Sequence, residues 1–136
     1  MKTFDVQSIE IHTGFQRAFT YIADAKTLPE WTHAFKEVSD GTAVMATPQG
    51  SVPIRLAINS SAQHGTIDWK MDFPDGSRAT AFSRLLAAGE NRCIYTFALM
   101  APPVPLEQLE GALERQAKTL REELASLARI LSRPND

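Results

Sequence analysis

The residues in this chain that most readily bind a metal or move a proton near neutral pH are His12, His33 and His64. They fall in three separate segments, with neither an HExxH pattern nor paired CxxC spacing to bring ligands together, so no metal site is expected. Cys93 is the single cysteine. Flanked by Ile94 and Tyr95, it reads as a small hydrophobe, and no activating base can be assigned to it. GxSxG, GxGxxG and P-loop patterns are absent, so serine acyl transfer and phosphate cradling find no support. The clearest carboxylates, Asp68 and Asp72, alternate with apolar residues and belong to a wet face. General acid–base work needs burial or a neighbouring charge to shift a pKa. No catalytic residue and no cofactor is therefore assigned. What remains is a set of side chains suited to holding an apolar molecule. Trp31 and Trp69 offer broad flat surfaces, Met71 a deformable one, and Tyr95 a hydroxyl that either orients a ligand or finds a backbone partner.

The elements that must position these residues are legible as changes of period. Phe4, Val6, Ile9 and Ile11 suggest a first strand over Thr3 to Ile11, with a slip near Gln7-Ser8. Thr13 stands before a helical pattern in which Phe15, Ala18, Phe19 and Ile22 share a face. Thr27-Leu28-Pro29-Glu30 reads as a capping box opening a second short helix through Trp31. From Phe35 to Met100 the text changes to strands and turns. Turn clusters at Ser39-Asp40-Gly41, Thr47-Pro48-Gln49-Gly50, Ser60-Ser61, Pro74-Asp75-Gly76 and Ala88-Gly89-Glu90-Asn91 leave about six strands, mostly joined as hairpins. Ala101-Pro102-Pro103-Val104-Pro105 stops the last of them, because proline cannot donate to a ladder. Leu106, Leu109, Leu113, Ala117, Leu120, Leu124, Leu127 and Leu131 then form one apolar seam along a helix roughly 39 Å long. Its other faces carry Glu107, Glu110, Glu114, Arg115, Lys118, Arg121, Glu122, Glu123 and Arg129. Strands grouped together with helices set apart predict an α+β domain of about seven antiparallel strands.

At 136 residues the chain fits one domain over 1–136, and 43% hydrophobic with 22% charged residues is ordinary for a globular protein. A formal charge of -2, without clustered Lys and Arg, gives no reason to expect nucleic acid. Met1 to Glu10 contains no apolar h-region and no stretch approaches the roughly 20 apolar residues of a membrane span. A lone cysteine gives no sign of an oxidising compartment. The expected setting is cytoplasmic, with the protein a monomer or homodimer and no integral membrane association.

Tyr21-Ile22-Ala23-Asp24 followed by Leu28-Pro29-Glu30-Trp31 resembles the junction between the two short helices of the START/Bet v 1-like (SRPBCC) superfamily. The resemblance is particularly to its small bacterial polyketide cyclase/dehydrase-like members. Gly50-Ser51-Val52-Pro53-Ile54, the successive hairpins and the terminal helix follow in the order of that family. The resemblance implies a helix-grip fold, a curved sheet wrapped around the long C-terminal helix with a cavity between them. It carries over no catalytic residue, because the superfamily has no catalytic signature common to all its members.

Alternation supplies the candidate cavity wall. Ile54, Leu56 and Ile58, with Ile67, Trp69, Met71 and Phe73, share one sheet face by parity. In the last strand Cys93, Tyr95, Phe97 and Leu99 are the inward set. Phe82 is the inward choice in the strand before, although its parity also turns Arg78, Thr80 and Arg84 inward. Leu113, Ala117 and Leu120 face the wall from the helix, with Trp31 at the entrance and His33 near the mouth. The same stripes also describe a solid core, and Trp31 can equally serve to pin its helix. The expected function is binding or transport of a small hydrophobic molecule, whether lipid, acyl chain or polycyclic aromatic. One alternative is a polyketide cyclase/dehydratase-like enzyme, drawing polar groups from Tyr95, His33 and Arg84. The other is a protein-interaction module, whose mark is an exposed apolar patch outside the cavity.

Overall fold

The computed structural model describes residues 3–47, 50–101 and 106–132, with backbone alone for 106–110. Strand β1 (Phe4–Ile11) leads into α1 (Phe15–Ala23), a short 3-10 turn and α2 (Leu28–Trp31). Six strands follow: β2 (Phe35–Ser39), β3 (Thr42–Thr47), β4 (Gly50–Ser61), β5 (Thr66–Asp72), β6 (Arg78–Ala87) and β7 (Cys93–Met100). The chain ends in α3 (Leu106–Leu131). The seven strands make one antiparallel sheet in the order β1-β7-β6-β5-β4-β3-β2. Successive hairpins from β2 to β7 thus form a meander, and β1 returns to the far side of β7. This is the helix-grip arrangement, with α1, α2 and α3 set against one face. The proline stop at 102–105, the Pro48-Gln49 turn and the Leu106 and Leu109 side chains lie outside the described residues.

Sequence order and side-chain chemistry explain the junction of the two short helices. The expected capping box at Thr27 does not form. Thr27 is already helical, with φ -84° and ψ -13°, whereas a capping residue needs extended backbone to aim its oxygen at the first amides. Its hydroxyl instead donates backward to the carbonyls of Tyr21 at 2.8 Å and Asp24 at 2.9 Å. Glu30, freed from the box, accepts the Tyr21 phenol at 2.7 Å. Thr13 is likewise no cap: Gly14 occupies that position, and the Thr13 hydroxyl accepts from Arg17 at 3.2 Å. Arg17 also donates to the Leu131 carbonyl at 2.8 Å, tying α1 to the end of α3.

Strand β1 corrects the expected slip near Gln7-Ser8. Its register with β7 is unbroken from Phe4 opposite Met100 to Ile11 opposite Cys93. Parity therefore turns Asp5, Gln7, Ile9 and Ile11 toward the helices and leaves Phe4 and Val6 exposed on the convex face. The polar pair is tolerated inside because it is satisfied there. Gln7 Nε2 donates to Asp5 Oδ2 at 2.7 Å and to the Ala117 carbonyl of α3 at 2.8 Å. At the other end of the sheet face, Gly65 (φ 72°) accepts the Leu85 amide at 2.7 Å. A Cβ at Gly65 would run into the Leu85 carbonyl, so this turn lies tight against β6.

Candidate ligand-binding site

The inner face of the sheet is ordered by its pairing. Ile58 opposes Trp69, which opposes Ala81. One row on, Ser83 opposes Phe97, which opposes Gln7. In the next, Leu85 opposes Tyr95, which opposes Ile9. Trp69 and Phe97 stack with centroids 5.7 Å apart, and Tyr95 meets the Phe97 ring edge-on at 6.4 Å. The three rings form an aromatic line across the centre of the sheet.

Burial divides this face into two ends. Toward α1 it is sealed: Ile67, Leu85, Cys93 and Tyr95 are at most 1% exposed, and the Cys93 thiol donates to the Thr13 carbonyl at 3.3 Å. Toward the opposite end Ala81, Ser83 and Phe97 keep 7–8% of their surface, while Ile58, Met71 and Leu99 are half-buried. Small side chains occupy the centre of that region. β6 contributes Ala81 and Ser83, and α3 contributes half-buried Ala117, whose carbonyl is fixed over Gln7.

The residues expected to line a cavity are distributed as follows. Ile54, Leu56, Trp69, Tyr95, Phe97, Leu113, Leu120 and Trp31 are buried, and Ile58, Met71 and Ala117 are half-buried. Phe82 is a correction. It is 45% exposed on the convex face, because β6 turns Ala81, Ser83 and Leu85 inward. That register puts Arg78 and Arg84 in water, where Arg78 pairs with Asp72 at 2.8 Å. His33 lies at the surface: its side chain is 55% exposed, with Nδ1 3.9 Å from Glu122. Among the described residues, no group of His, Cys, Asp or Glu is arranged to hold a metal ion, and no helix is long and apolar enough to cross a membrane.

Glu123, expected on the wet side of α3, is buried. Its Oε2 accepts the His33 amide at 2.6 Å, fastening the chain after Trp31 to the long helix. Burial pushes its carboxyl above the ordinary range, and the His33 and Ala34 amides partly offset this. Trp31 Nε1, Trp69 Nε1 and the Tyr95 hydroxyl are buried without a hydrogen-bond partner. Burial drives the Tyr95 phenol far above its usual range, with nearby Ser83 opposing. Ser83 Oγ gives its own proton to the Ile67 carbonyl, so toward the Tyr95 hydroxyl it can act only as an acceptor.

A separate open-sided groove of about 380 Å³ is lined by Thr42, Pro53, Ile54, Arg55, Asp72, Phe73 and Pro74. It does not reach the aromatic line. Its charged members Arg55 and Asp72 oppose each other across β4 and β5.

The sequence matches no family model and no curated protein sequence. Solved structures do match. A START superfamily protein from Mycobacterium smegmatis superimposes with TM-score 0.66 at 12% identity, covering 96% of this chain and 99% of that one. Truncated norcoclaurine synthase from Thalictrum flavum gives TM-score 0.66 at 12% identity, covering 97% and 94%. The Zhui aromatase/cyclase from a Streptomyces species gives 0.64 at 7% identity, covering 95% and 90%. These likenesses establish the helix-grip fold of START/Bet v 1-like structures.

Proposed function

We propose that this chain binds a small hydrophobic molecule between the inner face of its sheet and α3. One observation carries the reading: in and beside the row of Gln7, whose side chain bonds the Ala117 carbonyl of α3, the inward residues of β6 are small, Ser83 and Ala81, each keeping 7% of its surface, and Ala117 is half-buried. A solid core would place larger side chains at such a centre, as interiors pack to near-crystalline density. The rings of Trp69 and Phe97 form one wall of this space and suit a flat or flexible apolar ligand. Proteins of the same fold include an aromatase/cyclase and norcoclaurine synthase, names that go with small organic molecules and support the reading.

The test is Ala117→Phe. With space beside Ala117, the ring is accommodated and the melting temperature changes little. In a filled core the same change costs about 1–3 kcal/mol through overpacking, and a corresponding drop in melting temperature would count against the cavity.

The interaction-module reading is favoured by a different observation. Phe4 opposes Met100, Val6 opposes Ala98, and Ala98 opposes Phe82. Phe4, Val6, Phe82 and Met100 are each 45–51% exposed, which makes one apolar patch on the convex face beside the edge strand β1.

A further inference from the structure

The groove outside the inner face has a physical origin in two prolines. The pairing of β4 with β5 ends at Arg55 opposite Asp72, and the groove beyond that pair is bordered by Pro53 and Pro74. Neither proline has an N–H to donate, so the ladder is not continued and a gap opens over Ile54 and Phe73. Ile54 is 4% exposed and Phe73 is half-buried, which gives the space of about 380 Å³ an apolar floor. Its rim is preformed. The Phe73 amide donates to the Ser77 carbonyl at 2.9 Å, and Asp75 Oδ1 accepts the Ser77 amide at 2.9 Å and the Ser77 hydroxyl at 2.6 Å.

Charge selects the occupant. One cross-strand row runs through Thr42, Arg55, Asp72 and Arg78. Arg78 Nε holds Asp72 Oδ1 at 2.8 Å, so the one acid of the row already has its cation. The Arg55 side chain lines the groove and makes no ion pair or hydrogen bond among the described residues. The row therefore carries one uncompensated positive charge, beside an apolar floor. A guanidinium offers paired N–H donors in one plane, the geometry that a carboxylate accepts. We propose that this groove, separate from the inner face, binds an aromatic carboxylate of one or two rings. The ring lies against Phe73 and the two prolines, and the carboxylate meets Arg55. The volume is at the small end of the roughly 300–1,000 Å³ of ligand sites, which suits so small a body. The open side keeps the charged end hydrated, so no charge is buried unpaired.

Backbone-amide NMR of the whole chain, titrated with naphthoate, naphthylmethanol and naphthylmethylammonium, tests the assignment. Naphthoate is expected to give saturable shifts at Thr42, Arg55, Asp72 and Phe73, with the alcohol weaker and the ammonium weakest. Arg55→Gln should weaken naphthoate about two- to fivefold, the worth of one exposed ion pair, and leave the alcohol unchanged. Asp72→Asn removes the only acid of the groove and should tighten naphthoate without helping the alcohol. Arg55 is exposed and Asp72 half-buried, so both variants should keep the wild-type spectrum away from the groove. Equal binding of naphthoate and the alcohol would overturn the proposal, as would an Arg55→Gln variant that binds naphthoate as tightly as the wild type. Naphthoate shifts confined to Trp69, Tyr95 and Phe97 would support the inner-face site and remove this one. The absence of any shift at the groove residues of the folded chain would also overturn it, whatever the inner face binds.

Discussion

Single side chains decide where this sheet is wet and where it is dry, and size alone misleads. Phe82 is the largest apolar residue of β6, yet it faces solvent, and the inward set is Ala81, Ser83 and Leu85. The legible signal was the charge on its parity: Arg78 and Arg84 cannot be buried unpaired, and they outweigh one phenylalanine. Glu123 shows the converse. A carboxylate reads as surface on any helical wheel, but this one is buried because two backbone amides after α2 meet it. Burial raises its folded pKa above the ordinary 4.5. The folded state therefore holds this proton more tightly than the unfolded chain does, and the stability linked to Glu123 declines as pH rises from about 4.5 through the raised value. Glu123→Gln, which keeps an acceptor without charge, should be at least as stable as the wild type at neutral pH, with the advantage vanishing below pH of about 4. Glu123→Ala strands the amides and should cost about 1–3 kcal/mol at neutral pH. Urea melts of the three proteins across pH 3–8 check both statements, and a Glu123→Gln variant less stable at neutral pH would contradict the assignment.

Elements were more legible than their edges. The two period-two strands β4 and β5, the amphipathic pattern of α1 and the apolar seam of α3 all follow from apolar spacing, which tertiary packing reinforces here. The register of β1 did not follow, because inward Asp5 and Gln7 look like a break in the apolar alternation. They remain inside through the Gln7 amide, which bonds to Asp5 and to the Ala117 carbonyl more than a hundred residues away, a contact that no local pattern announces. The consequence appears on the opposite face, where Phe4 and Val6 join Phe82 and Met100 in the exposed patch around half-buried Ala98. On the interaction-module reading, one partner that such a sheet-edge patch would fit is a second copy of this chain. Sedimentation velocity should show reversible self-association that Phe82→Glu abolishes without lowering the melting temperature. A strictly monomeric wild type at high concentration would remove this reading.

At the scale of the molecule, the order of elements predicted an antiparallel α+β domain and the resemblance at the helix junction implied the helix-grip arrangement, and structures with 7–12% identity reproduce it over nearly the whole chain. Order of elements survives sequence divergence because it rests on apolar period and turn chemistry, which many sequences satisfy. The site does not follow from order in the same way. Alternation placed Trp69, Tyr95 and Phe97 on one face, but it did not show that the small Ala81 and Ser83, and not Phe82, stand beside them, nor that two of the three rings hold polar atoms without partners. The most direct measurement is the emission of Trp69 in a Trp31→Phe background, titrated with planar apolar probes. A cavity beside Trp69 predicts saturable emission changes, abolished when Ala117→Trp fills the space in a chain that stays folded. An unchanging Trp69 spectrum across a broad probe panel, or saturable changes that persist in the filled variant, would contradict a ligand site between the sheet and α3.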